Sequence, residues 1–287
     1  MRVTTNFTKN NEKTMDSKIT TYLVPIDFTF ETENALMFAL ALAEKQAHKV
    51  VLLHIIANES ERTAAEMKLG ELAGKYNEFD IEATVIVGNV LHDIGVIAEG
   101  IGASLIVMGT HGEVGLLSKV LGSKTMRVLA NSKVPMIIAQ KETRFHTIKT
   151  IVMTLDLEKE SIQVVKHATK IGQLFDSKVV LVAAEQEDEF LKRKIDLNLK
   201  LSRDYLNEHG LNTEIHLVSA KGYVKNLLAY CEEIGADMLA ATYYQDSFFS
   251  FSEHLVKALA GNPLQIPVMT FDGESTSSGS QFGFLTV

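Results

Sequence analysis

A run of glycines between residues 109 and 123 has the composition and spacing of a phosphate-binding loop. An apolar, strand-like run leads directly into Gly109, and Gly112 follows three residues later. Nine residues then separate Gly112 from Gly122 and Ser123, which open a predicted helix over Lys124–Asn131. Glycine allows a backbone to approach a ligand closely, and the first turn of a helix offers unpaired N–H groups and the positive end of its dipole. The segment is therefore predicted to cradle phosphate, with the Ser123 hydroxyl as an additional donor.

This pattern differs from the loop of P-loop NTPases. The stretch Gly122-Ser123-Lys124-Thr125 is superficially similar to that loop, but the Walker motif needs lysine directly after its last glycine. Because that spacing is absent, the sequence excludes a P-loop NTPase.

The strands and helices around this loop occur twice in the chain. Tyr22–Asp27 reappears as Ile151–Asp156, and Lys49–Leu53 reappears as Lys178–Val182, both displaced by 129 residues (22 to 151 and 49 to 178). Further on, the displacement becomes 133 (Ile101 to Ile234) and then 132 (Val134 to Ile266). The change in displacement predicts a four-residue insertion between the second and third strands of the second half, and a one-residue deletion opposite the glycine loop.

Within each half, short β-branched runs alternate with helical patterns, which predicts two tandem α/β domains. Their apolar strands do not alternate with polar residues, as expected for parallel strands covered by helices on both faces. We therefore predict two doubly wound, mostly parallel five-stranded sheets, in domains spanning 18–141 and 146–271, with flexible tails at 1–17 and 272–287. The strands predicted in the first half are Tyr22–Ile26, Val50–Ile56, Glu82–Val87, Leu105–Met108 and Pro135–Ala139.

The amino-acid composition of the chain excludes several kinds of partner and location. The chain has 287 residues and a formal net charge of −8, so no overall attraction to nucleic acid is expected. Cys231 is the only cysteine, so no intramolecular disulfide can form, and its apolar helical surroundings predict a buried, unreactive thiol. The polar first twenty residues lack the apolar core of a secretory signal, and no apolar run is long enough for a membrane span. The sequence thus predicts a cytoplasmic protein that does not enter a membrane.

The whole glycine pattern resembles the ATP-binding signature of the universal stress protein family, G-x2-G-x9-G-[ST]. The flanking sequence is similar to that family as well, at Val24–Thr29, Leu52–Ile55 and Val134-Pro135. The resemblance covers residues 18–141 and, more loosely, 146–271. It implies a nucleotide-dependent regulatory protein of the stress response that binds ATP with Mg²⁺ in its first half.

The resemblance also implies a role for individual residues. Asp27 would contact the adenine and ribose, the backbone of Ile55 would contact adenine, and Met108 and Gly109 would lie beside the ribose. The triphosphate would be bound by Gly112, Gly122, Ser123 and the amide of Lys124. Mg²⁺ would be held mainly by phosphate and water, as is common for this ion.

Three side chains have competing interpretations. Asp27 could instead cap the helix predicted to start near Thr32. His54 lies in an apolar strand and is expected to have a structural role, whereas His111 lies inside the loop, where it could meet phosphate. No partner for a catalytic histidine can be identified, so we assign no catalytic residue, and no metal-binding spacing is present.

The second half lacks the phosphate signature. Its fourth strand leads into Thr242–Phe249, which contains no glycine at the positions equivalent to Gly109 and Gly112. His54 and Ile55 are replaced there by alanines, although Asp156 retains the first-strand aspartate. ATP is therefore not expected in this half, and its aromatic run Tyr243–Phe251 is interpreted as core or interdomain packing, with a pocket for another small ligand as the alternative.

Two further functions stay open at this stage. The same pocket could support a slow ATPase, or the chain could be an interaction module. The resemblance implies that the two halves pair along their edge strands, near Pro135–Ala139 and Ile266–Thr270, as separate subunits of this family do, and this pairing would also protect those edges. Further dimerisation of the whole chain is left open.

Overall fold

The protein is described from a computed structural model that covers residues 20–45, 48–110, 123–143, 145, 147–244 and 251–273. Side chains are not described for residues 123, 124 and 251. The strands are β1 Thr21–Pro25, β2 Lys49–Ile56, β3 Ile81–Val87, β4 Ala103–Gly109, β5 Met136–Ala139, β6 Thr150–Thr154, β7 Lys178–Ala184, β8 Thr213–Val218, β9 Met238–Tyr243 and β10 Val268–Asp272. The helices are α1 Phe30–Ala43, α2 Arg62–Gly74, α3 Val90–Gly100, α4 Ser123–Ala130, α5 Val164–Phe175, α6 Glu189–Glu208, α7 Tyr223–Ile234 and α8 Phe251–Ala260. All five strands predicted in the first half are present, with ends that differ by at most two residues.

The strands form a single sheet in the order β3-β2-β1-β4-β5-β10-β9-β6-β7-β8. Every neighbouring pair is parallel except β5 and β10, which are antiparallel. At this seam Ile138 pairs with Val268 and Met136 with Thr270. The fold class is therefore confirmed, and so is the predicted pairing of the two edge strands, which joins the two five-stranded halves into one ten-stranded sheet. The domain limits 18–141 and 146–271 stay a prediction.

The buried side chains explain why both faces of the sheet carry helices. Strand residues alternate between two apolar clusters, one on each face, so that Val24 and Leu52 belong to one cluster and Leu23 and Val51 to the other. Both clusters continue across the seam into the second half. Cys231 is a member of the second cluster, and burial raises the pKa of its thiol to about 12, as expected for an unreactive cysteine. In the described part of the chain, no helix is long and apolar enough to cross a membrane.

The predicted insertion lies in a helix. The connection between β7 and β8 contains α6, with 20 residues, whereas the equivalent connection in the first half contains α2, with 13, preceded by a short 3₁₀ turn over Glu59–Glu61. Asn198 of this longer helix donates to the carbonyl oxygens of Asp156 (2.9 Å) and Glu158 (3.2 Å). Helix α6 therefore fixes the turn that follows β6, directly beside the second-half aspartate.

Candidate nucleotide site

A cavity of about 250 Å³ opens at the carboxyl ends of β1, β2 and β4. In an open parallel sheet this is where ligands bind, at the point where the strand order reverses. The lining is mostly apolar, with one carboxylate, and four of the predicted site residues contribute to it: Asp27, Ile55, Met108 and Gly109. The residues predicted to contact adenine and ribose are thus brought together around one cavity.

Asp27 organises the turn between β1 and α1. Its Oδ1 accepts hydrogen bonds from the backbone N–H of Thr29 (3.0 Å) and from the hydroxyls of Thr29 (2.5 Å) and Thr32 (2.9 Å). Helix α1 begins at Phe30, earlier than the predicted start near Thr32, and the residue at its N-cap is Thr29. The interpretation of Asp27 as the helix cap was therefore wrong, because its carboxylate holds the turn that precedes the cap.

The backbone of Ile55 faces the cavity because β1 ends before β2 does. The carbonyl oxygen of Leu53 accepts from Ile26 of the β1 segment, whereas that of Ile56 accepts from Gly88 on the β3 side. In a parallel ladder alternate residues turn their N–H and C=O groups to opposite neighbours. The groups of Ile55 therefore face the β1 side, past the last β1 residue, where a planar base could form paired hydrogen bonds with them.

His54 has a structural role, as predicted. Its Nδ1 lies 2.6 Å from the carbonyl oxygen of Ile26, and its ring packs on Phe28 with the ring centroids 4.7 Å apart. Phe28 adopts a φ of 64°, a left-handed conformation that a bulky side chain rarely takes. His54 thereby supports the sharp turn that carries Asp27.

Gly109 allows β4 and α1 to approach each other closely. A Cβ atom on this residue would lie 2.6 Å from the carbonyl carbon of Glu31, 3.0 Å from the nitrogen of Thr32, and closer still to the Glu31 oxygen. These are backbone atoms, which cannot move without shifting the start of α1. The glycine is thus required by the packing of the helix against β4.

The phosphate side of the predicted site falls largely on residues that are not described. His111, Gly112 and Gly122 lie outside the described residues, and for Ser123 and Lys124 only the backbone is described, in the first turn of α4. Because β4 and β5 are parallel, the helix between them runs in the opposite direction to both. Its first turn therefore lies at the sheet edge where the cavity opens.

One wall of the cavity was not predicted from the sequence. Val90, Leu91 and Ile94, from the first two turns of α3, line it. The signal that could have located them is Asn89, which follows β3 and caps α3 by accepting from the N–H of Leu91 (2.9 Å). Asp93 fixes the same turn by accepting from the N–H of Asn89 (2.7 Å), and this bond lowers the pKa of its carboxyl.

Comparison with known proteins agrees with this geometry. Residues 18–140 match the universal stress protein family. The N-terminal half of the chain therefore belongs to this family. A universal stress protein of Methanocaldococcus jannaschii is 28% identical over 152 residues, which cover 42% of this chain and 94% of that protein.

Solved structures extend the similarity in fold to both halves. A universal stress protein from Archaeoglobus fulgidus aligns with a TM-score of 0.70 at 19% identity, covering 88% of this chain and 98% of that one. A protein of unknown function from Pseudomonas aeruginosa aligns with a TM-score of 0.64 at 16% identity, covering 89% and 93%. At these identities the comparison shows the fold alone.

In the second half of the chain, side chains of the protein occupy the equivalent site. The carboxylate of Asp156, which corresponds to Asp27, accepts a hydrogen bond from the hydroxyl of Tyr244 at Oδ2 (2.7 Å) and from the N–H of Glu158 at Oδ1 (2.8 Å). The side-chain amide of Gln186 donates to the carbonyl oxygen of Ala184 (3.1 Å), which corresponds to that of Ile55. Groups that would face a ligand in the first half are thus bound internally in the second.

Two residues of the second half that are larger than their first-half counterparts also occupy the equivalent site. Tyr223 takes the place of Val90 as the first residue of the helix; it is buried and donates to the carbonyl oxygen of Val182 (3.3 Å). Thr242 takes the place of Gly109, because it lies three residues after Leu239, which pairs with Val152, just as Gly109 lies three residues after Ile106, which pairs with Leu23. The hydroxyl of Thr242 donates to the carbonyl oxygen of Ser161 (2.8 Å) and accepts from the N–H of Val164 (3.1 Å). The first turn of the adjoining helix is correspondingly a 3₁₀ turn, over Lys159–Gln163. Tyr243 and Tyr244 are buried, in agreement with the predicted packing role, whereas 245–250 lie outside the described residues.

Proposed function

We propose that the N-terminal half binds ATP with Mg²⁺ and that the protein acts as a nucleotide-dependent regulator in the stress response, with the second half as a built-in partner that binds no nucleotide. The observation that supports this proposal most directly is the convergence of Asp27, Ile55, Met108 and Gly109 on one cavity at the switch point of the sheet. Family membership of residues 18–140 supports it independently.

The size and lining of the cavity fit the nucleoside. At about 250 Å³ it is slightly smaller than the roughly 300 to 1,000 Å³ of sites that enclose whole drug-sized ligands. Apolar side chains from β2, β4 and α3 would contact the faces of a base, and the backbone of Ile55 would pair with its edge. Asp27 would accept from a ribose hydroxyl through a carboxylate whose orientation is fixed by Thr29 and Thr32.

The phosphates would leave the cavity toward the segment from Gly109 to Lys124. The first turn of α4 lies at that edge, and its N–H groups and dipole favour negative charge. When bound, Mg²⁺ would neutralise phosphate charge and be held mainly by phosphate and water. The titratable side chains among the described residues that line the cavity are Asp27 and His54. Hydrolysis needs a group that orients the attacking water, and the sequence identifies none, so we propose binding without rapid hydrolysis.

Incubation with ATP and Mg²⁺ tests this proposal. We expect saturable binding in titration calorimetry with one nucleotide per chain, and recovery of unchanged ATP from the denatured complex by mass spectrometry. Recovery of ADP with steady turnover would instead support the slow ATPase. Absence of both binding and any thermal shift would refute the nucleotide proposal.

The substitution Asp27→Asn tests the contribution of the Asp27 negative charge to ATP binding. The variant retains Oδ1, and therefore the acceptor for Thr29 and Thr32, but loses the negative charge and replaces the second oxygen by a donor. We expect at least about a tenfold loss of ATP affinity, with little change in melting temperature, because a hydrogen bond to a charged group is worth about 1.5 to 3 kcal/mol. Asp204→Asn, on the surface of α6, is the matched control and should bind ATP as the wild type does. Equal affinity of the two variants would contradict the role of Asp27.

A further inference from the structure

A second and larger cavity, of about 570 Å³, lies where the two halves meet. We call it the junction cavity. One wall is formed by residues at the amino ends of β1 and β4 and just before β5, including Tyr22 and Leu105, and the opposite wall by α5, through His167, Lys170 and Ile171. It lies at the opposite sheet edge of the first half from the candidate nucleotide site, since one is at the amino ends of those strands and the other at the carboxyl ends.

The internal repeat allows the junction cavity to be compared with an equivalent site elsewhere in the molecule. An equivalent cavity, of about 380 Å³, is lined by α1 of the first half and by the segments preceding β6, β9 and β10 of the second. There, Phe38 packs against Phe145 with ring centroids 5.3 Å apart, and Phe145 contacts Phe175 at 5.8 Å. His167 is the repeat equivalent of Phe38, 129 residues later. An aromatic cluster on one side of the molecule thus corresponds to a histidine and a larger cavity on the other.

The lining of the junction cavity combines flat rings with one cation. Tyr22 and His48 are stacked, with centroids 4.5 Å apart and planes within 17°, and both are buried. His167 packs on Phe271 at 4.5 Å. Lys170 is exposed at the rim, and none of the described residues that line this cavity is acidic, in contrast to Glu142 and Asp237 in its equivalent.

Burial keeps the inner rings uncharged at neutral pH. It lowers the pKa of His167 to about 4, with further lowering by Lys170 and Lys166, and it raises the pKa of the Tyr22 hydroxyl to about 12. Burial also lowers the pKa of His48. The cavity therefore presents neutral aromatic surfaces and hydrogen-bonding groups inside, and the side chain of Lys170 at its entrance.

We propose that the junction cavity binds a small organic anion with a flat apolar body. The carboxylate or phosphate of the ligand pairs with Lys170, and the body lies against the buried rings and the apolar floor formed by Leu105, Ile171 and Met269. Pockets of this volume at domain junctions, apolar with a few converging polar groups and perturbed pKa values, are the usual form of small-molecule sites. Because the ligand contacts strands of one half and a helix of the other, its binding stabilises their packing. This site is independent of the ATP proposal.

Three probes separate the parts of this proposal in titration calorimetry and thermal-shift assays. Benzoate carries both the charge and the flat body, benzyl alcohol has the body without the charge, and inorganic phosphate has the charge without the body. We expect saturable binding of benzoate and a rise in melting temperature, with at least tenfold weaker binding of the other two probes. Equal or tighter binding of inorganic phosphate would overturn the role of the apolar body, and absence of saturable benzoate binding would overturn the site.

Two variants locate the site, and a third is the control. Lys170→Gln should weaken benzoate binding about tenfold. His167→Phe should abolish it without loss of stability, because it introduces the residue that fills the equivalent position of the first half. Lys166→Gln removes a neighbouring exposed charge of α5 that does not line the cavity, and it should leave binding unchanged. The proposal is refuted if Lys166→Gln and Lys170→Gln weaken binding equally, or if His167→Phe binds benzoate as the folded wild-type protein does.

Discussion

Gly109→Val is expected to destabilise the protein by about 1 to 3 kcal/mol, the usual cost of overpacking, and to remove ATP binding. The reason is the contact between β4 and α1: a Cβ at this position would lie 2.6 Å from the carbonyl carbon of Glu31 and 3.0 Å from the nitrogen of Thr32. The clash is with backbone, so the first turn of α1 must move. That movement displaces Thr32 and, through its hydrogen bond, Asp27. Chemical unfolding measures the first effect and calorimetry with ATP and Mg²⁺ the second.

The second half already shows the structural response to a side chain at this position. Thr242 inserts its hydroxyl between Ser161 and Val164, and the adjoining helix begins with a 3₁₀ turn. Gly70→Ala is the matched control, because a Cβ there would meet no atom within 4 Å and the residue lies inside α2. It should bind ATP normally and gain up to about 1 kcal/mol of stability from its higher helix propensity. Wild-type affinity in Gly109→Val would show that α1 can move without affecting the site.

The fold was predictable from the sequence because its signals are local and repeated. Apolar runs such as Val50–Ile56 identified parallel strands, and the 129-residue repeat identified two halves with the same order of elements. Pairing of the last strands of the two halves was also expected, since each leaves an edge that must be covered, whereas the antiparallel direction of that pairing was not predicted. The insertion was placed between the correct strands, but its effect on the length of α6 was not foreseen, because sequence displacement does not distinguish a longer helix from a longer loop.

The site was only partly predictable, because its remaining features depend on contacts between distant residues. The wall formed by Val90 and Leu91 belongs to a helix that reaches the cavity only once β3 is placed beside β2. The local role of Asp27 in holding the turn is set by Thr29 and Thr32 together, and a cap and a turn of this kind have similar sequences. In the second half the sequence showed missing glycines, but it could not show that Tyr244 reaches Asp156, which is 88 residues away.

Those internal contacts change the interpretation of the second half. Missing glycines alone would leave an open pocket that binds phosphate poorly. In the structure, Tyr244 and Gln186 satisfy strand-end groups that a ligand would otherwise satisfy, and Tyr223 is bound internally to the carbonyl oxygen of Val182. The polar ends of β6 and β7 are thus paired within the chain, as buried polar groups must be. The second half can therefore keep its fold without a ligand, which is the property required of the permanent partner proposed above.

Tyr244→Phe tests this interpretation. The substitution removes one hydroxyl and leaves the ring, so the main effect is loss of the donor to Asp156. Burial raises the pKa of the Asp156 carboxyl, and the Tyr244 hydroxyl opposes that rise by stabilising the ionised form. We expect a loss of about 1.5 to 3 kcal/mol in the free energy of unfolding near neutral pH, the range for hydrogen bonds to charged groups. Tyr230→Phe, at a partly exposed position of α7, should change stability by less than about 0.5 kcal/mol.

The pH dependence distinguishes this bond from a loss of packing. Because the pKa of Asp156 is higher in the folded than in the unfolded protein, its protonated form favours folding, and that contribution is lost as the pH rises through the folded value. Removing the Tyr244 donor raises the folded pKa further, so the penalty in Tyr244→Phe is largest when the carboxyl is ionised. The difference in unfolding free energy between variant and wild type should therefore shrink as the pH falls from about 7 to about 4. A difference in unfolding free energy that stays constant over this range would show that Tyr244 stabilises the second half by packing alone. The hydrogen bond from its hydroxyl to Asp156 would then make no contribution.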